Sequence, residues 1–371
     1  MSSDKVVSLD DQYMSQAITL ARKGLGRTSP NPVVGAVIVR NGQVIGRGFH
    51  QKYGEKHAEI NAIEDAGGDV EGATLYVTLE PCCHQPKHTP PCVDALIKNG
   101  ISRVVLGTLD PNPLVNGKGS DALRTRGVKV ALGVMGEECA QLNEPYFKHI
   151  TTGLPLVTIK WAQTLDGRIA TMDGISQWIS SPPSLRLAHR LRRVNDAVMV
   201  GIGTVLADDP KLTTRLVEGR SPIPVIVDSV LRIPLDSQVL HQRRRARAII
   251  AATPKANAGK VLRLKQAGVD VVVVGEDVKG QVDLSKLLEE LGKKGITSVL
   301  VEGGSALITS LLRQGLADRA VVFVAPKILG EGLGAVGNIG VKDIAKAVPL
   351  RDMTVRRLGE DLIVEGRVSK A

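Results

Sequence analysis

The chain has 371 residues, 43% of them hydrophobic, which supports two packed domains rather than one. Its longest apolar runs, such as Val271 to Val274, are strand-sized and exclude a helical membrane span as a reading. The net charge of +10 falls entirely in one half: residues 1–150 hold 16 basic and 16 acidic residues, residues 151–371 hold 32 and 22. A basic half is compatible with nucleic acid, a phosphorylated ligand or a solvated surface. An aromatic content of 2% leaves few side chains to stack on single-stranded bases and counts against nucleic acid.

The opening stretch, Met1 to Asp11, is polar and carries acids. It does not read as a secretory leader, so the expected compartment is the cytoplasm. Asp11 to Lys23 has helical spacing. Val33 to Arg40 and Val44 to Phe49 are strands joined by Asn41-Gly42, a hairpin signal. His57 to Ala66 reads as a helix closed by Gly67-Gly68. Thr74 to Leu79 is a strand, Pro91 can open a helix that Cys92 to Asn99 continues, and Arg103 to Leu106 is a strand. Ala122 to Arg126 and Val128 to Leu132 add a helix and a strand. The first domain is thus an α/β sandwich, a sheet begun by a hairpin and crossed by helices.

Asn143 to Pro155 carries two prolines, a glycine and a threonine pair, and reads as a linker, with the domain boundary at residue 150. Beyond it, strands are expected at Leu156 to Ala162, Ala197 to Gly201, Val225 to Asp228, Ala248 to Ala251, Val269 to Val274, Ser298 to Val301 and Ala320 to Val324. Helices are expected at Leu284 to Leu291 and Ala306 to Arg313. This alternation implies a mostly parallel sheet with helices on both faces. The run Arg243 to Arg247 reads as a solvated loop.

Three of the four cysteines, Cys82, Cys83 and Cys92, fall within eleven residues; Cys139 stands apart and reads as a small core residue. Without an export signal, the cluster reads as a metal site before a disulfide framework. His57-Ala58-Glu59 opens one helix, Cys82 follows a strand, and Cys92 begins the next helix. One imidazole and two thiolates make a three-ligand zinc site whose fourth position stays open for water. Glu59, two residues from His57, can reach that water without ligating the metal and move its proton to a leaving ammonia, the zinc-deaminase arrangement. A structural zinc would close the fourth position, and Cys83, His84 and His88 lie near enough to do so.

These residues belong to longer motifs. Thr28-Ser29-Pro30-Asn31-Pro32-Val33-Val34-Gly35, His57-Ala58-Glu59, Leu79-Glu80-Pro81-Cys82 and Thr89-Pro90-Pro91-Cys92 resemble the deaminase half of the bifunctional riboflavin-biosynthesis deaminase-reductases. Lys160, Thr164-Leu165-Asp166-Gly167, Ser176-Gln177-Trp178-Ile179, Leu206-Ala207-Asp208-Asp209-Pro210 and Val301-Glu302-Gly303-Gly304 resemble their reductase half. The resemblance covers nearly the whole chain, in order. It implies a cytidine-deaminase-like α/β/α sandwich over residues 1–150 and a dihydrofolate-reductase-like sheet over 151–371. It implies hydrolytic deamination of a diaminopyrimidinone ribosyl phosphate, then NADPH reduction of the ribosyl chain to ribityl. The segment from Cys82 to Cys92 is one residue longer than the family pattern, within Gln85 to His88, which leaves Cys83 open as the first cysteine ligand.

By the same resemblance His57, Cys82 and Cys92 ligate zinc and Glu59 is the proton donor, while Asn31 and His84 fall in the deaminase substrate pocket. Ala162, Trp178, Thr204, Asp208 and Ser229 fall at NADP-contacting positions. Ser176, Arg192, Leu212, Arg215 and Glu302 fall at substrate-contacting ones. The turn Gly303-Gly304-Ser305-Ala306, between a strand and a helix, lets backbone approach a phosphate at a helix N-terminus, although the G-x-G-x-x-G fingerprint is absent. The resemblance makes Gly304, Ser305 and Ala306 a cofactor pyrophosphate site. Arg192 and Arg215 can fork onto phosphate oxygens. Lys160 and Asp208 are open candidates for protonating the sugar. The family leads one to expect a homo-oligomer, a dimer or tetramer formed largely through the reductase domains, with neither nucleic acid nor membrane as partner.

Overall fold

Asn41 and Gly42 turn the chain between β1 (Gly35–Arg40) and β2 (Gln43–Phe49) with φ of 52° and 76°, the left-handed pair that a two-residue hairpin needs. The computed structural model describes residues 8–84, 90–241 and 248–369. It divides into two compact units, the cut falling between Gly153 and Leu154. The Arg243 to Arg247 run and the Gln85 to His88 segment lie outside the described residues.

In the first unit, α1 (Leu9–Ala21) begins at a reciprocal cap: Ser8 Oγ accepts from Asp11 N at 3.1 Å, and Asp11 Oδ2 accepts from Ser8 N at 3.1 Å. Then follow α2 (Ala58–Asp65), β3 (Thr74–Leu79), α3 (Cys92–Lys98), β4 (Arg103–Thr108), α4 (Lys118–Thr125), β5 (Lys129–Leu132), α5 (Gly136–Leu142) and α6 (Glu144–Thr152). The sheet order is β2-β1-β3-β4-β5, antiparallel across β2, β1 and β3 and parallel from β3 to β5. One sheet face, through Ala36, Ile38, Leu75 and Val104, packs with α2 and α3 residues such as Ala62 and Leu96. The other, through Val37, Tyr76 and Val105, packs with Met14 and Ala17 of α1 and with Cys139, which is a buried core residue.

The stretch read as a linker is mostly helix. Pro145 sits in the first turn of α6, where its missing N–H has no partner to lose, and Gly153 ends the helix at φ 73°. Asn143, just before it, is buried and exchanges two hydrogen bonds with the Val33 backbone, at 2.8 and 2.9 Å. The boundary between the units therefore follows this helix instead of cutting it at residue 150.

The second unit runs β6 (Leu156–Thr164), β7 (Arg168–Ala170), α7 (Pro182–Val194), β8 (Ala197–Gly201), α8 (Ile202–Asp208), β9 (Ile223–Val227), β10 (Ile249–Ala252), α9 (Ala258–Gln266) and β11 (Asp270–Val273). It continues through α10 (Leu284–Lys293), β12 (Ser298–Glu302), α11 (Ser305–Arg313), β13 (Arg319–Ala325), β14 (Leu333–Gly334), β15 (Leu350–Leu358) and β16 (Asp361–Val368). Its main sheet has the order β11-β10-β9-β8-β12-β6-β13-β16-β15. Strands β11 through β13 are parallel, and β16 and β15 close one edge as an antiparallel pair. The periodicity of α10 explains its seat: Leu284, Leu287, Leu288 and Leu291 share one face and all are buried. Each contributes about 1.5–3 kcal/mol by area, an upper bound. Asp283 caps the helix by accepting from Ser285 N and Lys286 N at 3.0 and 3.2 Å.

Candidate active sites

The His57 backbone is the N-cap of α2, Cys82 follows β3, and Cys92 begins α3. Sheet order sets β3 centrally, so its carboxyl end delivers Cys82 between the starts of two helices. His57 Nδ1 lies 3.2 Å from Cys92 Sγ and 3.6 Å from Cys82 Sγ, and the three donor atoms all fall within 4.8 Å of one another. That spacing fits one tetrahedral zinc with a fourth position left over. Cys92 N donates to Cys82 Sγ at 3.4 Å. Hydrogen bonds from Cys92 and His57 hold the Cys82 thiol down to about 4, while sharing that proton and burial push Cys92 well up. The same contact with Cys82 raises His57. Cys82 is thus poised as a thiolate, the form that binds a metal. Cys83 turns the other way, its Sγ 3.9 Å from the Leu114 carbonyl.

Glu59, in the first turn of α2, is 3% exposed. Burial raises its pKa. It lines a cavity of about 420 Å³ together with His57, Cys82, Asn31 and His84. Asn31 Nδ2 sits 3.3 Å from His50 Nε2, and His50 Nδ1 sits 3.0 Å from the Lys56 carbonyl. A carbonyl only accepts, so His50 carries its proton on Nδ1 and takes a hydrogen bond from Asn31 on Nε2. Burial lowers the His50 pKa and keeps that ring neutral. His84 Nδ1 is buried and has no partner among the described residues.

The other cavity walls escaped the sequence reading. Asp110 and Asn112 come from the turn after β4, and Tyr146, His149 and Ile150 come from α6. Tyr146 donates to both Asp110 oxygens, at 3.0 and 3.2 Å. The turn Asp110-Pro111-Asn112-Pro113 directly after a strand was a usable signal. Glu80, beside Pro81, is engaged structurally: it accepts from Ser120 N at 2.8 Å, Gly117 N at 2.9 Å and Asp110 N at 3.3 Å. It thereby caps α4 and holds the 110–120 turn against β3.

In the second unit the carboxyl edge of the parallel strands gathers Ala162 of β6, Thr204 after β8, Ser229 after β9, Glu302 of β12 and Gly304, Ser305 and Ala306 after it. This is where open α/β sheets bind ligands. Gly303 and Gly304 have φ of 70° and 78°, and a Cβ on Gly304 would lie 3.3 Å from Thr204 Oγ1. That bare backbone heads the nine-residue helix α11. Ser229 Oγ already accepts from Val282 N at 3.2 Å. Ser176 and Trp178 precede α7; the Trp178 ring is exposed and its carbonyl accepts from Lys327 Nζ at 2.8 Å. Asp208 ends α8 on the surface.

Lys160 and Glu302 are register partners on β6 and β12. Burial lowers Lys160, whose Nζ lies 4.7 Å from the Phe323 ring centre. Glu302 meets the guanidinium fork of Arg192 at 2.6 and 2.7 Å. Burial alone would raise the Glu302 pKa, but Arg192 and then Lys160 outweigh it and the carboxylate stays low. The fork of Arg192 is therefore occupied by a carboxylate instead of lying free for phosphate, whereas Arg215 is exposed. Leu212 is buried and held at φ 51°.

Residues 7–108 match the family described as the cytidine and deoxycytidylate deaminase zinc-binding region, and residues 155–364 match the RibD C-terminal domain. The riboflavin biosynthesis protein RibD of Aquifex aeolicus (strain VF5) is 47% identical over 96% of this chain and 98% of its own. That of Escherichia coli (strain K12) is 39% identical over 95% and 98%. Among solved structures, Acinetobacter baumannii RibD, form 1, superposes with a TM-score of 0.87 at 35% identity, over 98% of this chain and 99% of that one. A diaminohydroxyphosphoribosylaminopyrimidine deaminase/5-amino-6-(5-phosphoribosylamino)uracil reductase from Thermotoga maritima does so at 0.85 and 39%, over 97% and 99%. With a zinc-binding deaminase region preceding a reductase domain, and full-length likeness to such proteins, this chain belongs to the RibD family of bifunctional riboflavin-biosynthesis deaminase-reductases.

Proposed function

We propose that the first unit hydrolyses an amino group from a diaminopyrimidinone ribosyl phosphate and that the second reduces the ribosyl chain of the product to ribityl with NADPH. The observation that carries the first step is the convergence of His57, Cys82 and Cys92 beside the buried Glu59, with His57, Cys82 and Glu59 lining the cavity. His57, Cys82 and Cys92 would hold zinc, whose Lewis acidity supplies a water nucleophile near neutral pH. Glu59 moves the proton, taking it onto a carboxylate oxygen from the attacking water and giving it to the departing amine nitrogen. Asn31, oriented by His50, and His84, whose Nδ1 has no partner among the described residues, hold the substrate. Glu59→Gln should cut ammonia release by about 10²- to 10⁴-fold while zinc content stays at one per chain. Retained turnover in that variant would defeat the assignment.

NADPH supplies the hydride of the second step, and the protein's part is placement. Gly304, Ser305 and Ala306 would take its pyrophosphate, with Ala162, Trp178, Thr204, Asp208 and Ser229 along the same strand ends. Ser176, Leu212, Arg215 and Glu302 would hold the substrate, Arg215 meeting the phosphate and Arg192 orienting the Glu302 carboxylate. Lys160, across the register from Glu302, is better placed than the exposed Asp208 to hold a proton near the sugar. We take the enzyme to work in the cytoplasm as a homo-oligomer, dimer or tetramer, whose mass in solution is directly measurable.

The deciding assay supplies substrate with and without NADPH and follows ammonia and NADPH together. Ammonia without NADPH, and NADPH loss only after deamination, are expected. Ammonia with no NADPH oxidation would remove the second step alone.

A further inference from the structure

We propose that His189 is a positioning residue for the reductase step, its imidazole fixing the backbone of Arg215 and hence the place where that guanidinium meets the substrate phosphate. This rests on the reading of Arg215 as a phosphate contact. Arg215 N donates to His189 Nδ1 at 3.0 Å, and Leu216 N points at the same nitrogen from 3.5 Å. A backbone N–H can only donate, so Nδ1 is an acceptor and the ring carries its proton on Nε2. The His189 side of this contact is buried, 4% exposed, on α7; the Arg215 side chain is exposed. Burial, then the charges of Arg192 and Arg215, hold the imidazole down to about 4, so the acceptor persists across the working pH range.

His189 does not act alone on this loop. One turn along α7, Arg192 Nη1 donates to the Thr213 carbonyl at 3.1 Å while its fork grips Glu302. Thr214 N donates to Ser221 Oγ at 2.8 Å. Three consecutive residues are thus pinned through three backbone groups, directly after Leu212 in its left-handed conformation. A non-glycine residue stays at such a φ only where the surroundings over-determine it. The loop is clamped from α7 by a donor and an acceptor, and the acceptor sets the residue whose side chain leaves the clamp for solvent. A guanidinium misplaced by about 1 Å loses much of a charge-assisted contact, which would appear in substrate binding before chemistry.

The test uses the full-length enzyme and the deaminated substrate, with KM and kcat separated by NADPH oxidation. In His189→Asn the Oδ1 falls about where Nδ1 was, whereas His189→Gln carries its acceptor one bond further and His189→Leu has none. KM is expected to rise roughly tenfold or more in the Gln and Leu variants, with kcat within about twofold and Asn within about threefold of wild type. Ammonia release should be unchanged in all three. Gln performing as well as Asn, wild-type KM in both Gln and Leu, or a loss in kcat without KM overturns the proposal. If the Leu variant does not fold, the Asn and Gln pair decides. Arg215→Gln separates the two levels: a raised KM there with silent His189 variants sinks only the positioning role, whereas an unchanged KM removes the Arg215 reading and this proposal with it.

Discussion

At the scale of single residues, the choice between Cys82 and Cys83 shows what spacing alone can and cannot carry. His57 and Glu59 were legible because a helix N-terminus fixes how two residues spaced by two relate to its first turn. Adjacent cysteines in extended chain point to opposite sides, and which side is inward depends on how β3 registers against its neighbours. The structure turns Cys82 toward His57 and Cys83 toward Leu114. Cys82→Ser and Cys92→Ser should each lose zinc and ammonia release, whereas Cys83→Ser should keep both, as metal analysis of the purified variants will tell. His189 makes a second residue-scale prediction. Its pKa is about 4 in the folded chain and about 6.5 unfolded, so between those values the unfolded chain binds more protons. Stability from this group is complete above about pH 6.5 and is lost as pH falls toward 4. The unfolding midpoint of the second unit should therefore fall more steeply over that window in wild type than in His189→Asn.

At the scale of elements, hydrophobic periodicity found the central strands and α10, and it failed on elements whose buried faces are partly polar or whose strands lie at an edge. α7 buries Ser184 and His189 beside Ala188, Leu187 and Leu191 and carries four arginines, so polar residues interrupt its short apolar stripe although the helix is 13 residues long. β15 is exposed along nearly its whole length, which leaves no alternation to read. α6 was hidden by prolines that sit at its start and beyond its end. Glycines in strands carried a signal that periodicity does not use. A Cβ on Gly46 or Gly48 of β2 would run into the Ala62 or Ala58 carbonyl of α2, and one on Gly35 of β1 into the Ala17 carbonyl of α1. The two helices thus rest directly on bare backbone, and α2 is the helix that sets His57 and Glu59 in place. Gly48→Val should destabilise the first unit by about 1–3 kcal/mol through overpacking and lower its zinc affinity, leaving NADPH oxidation untouched. An unfolding scan that finds both units equally weakened would contradict this.

At the scale of the whole molecule, the two compact units each hold their own cores and their own chemistry. Charge separates them too, since the excess of basic residues lies wholly in residues 151–371. Stripping zinc with a chelator should depress one unfolding transition and ammonia release together, while deaminated substrate still drives NADPH oxidation. A single shared transition shifted by the chelator would mean that the units unfold as one. The helix α6 constrains how such a chain could ever be divided. Because Tyr146, His149 and Ile150 wall the cavity and only Gly153, Leu154 and Pro155 separate α6 from β6, a gene fission with its junction at Asn143 would yield a deaminase with an open flank. A junction after Gly153 preserves the pocket, so any freestanding descendant of the first half must carry this helix with it.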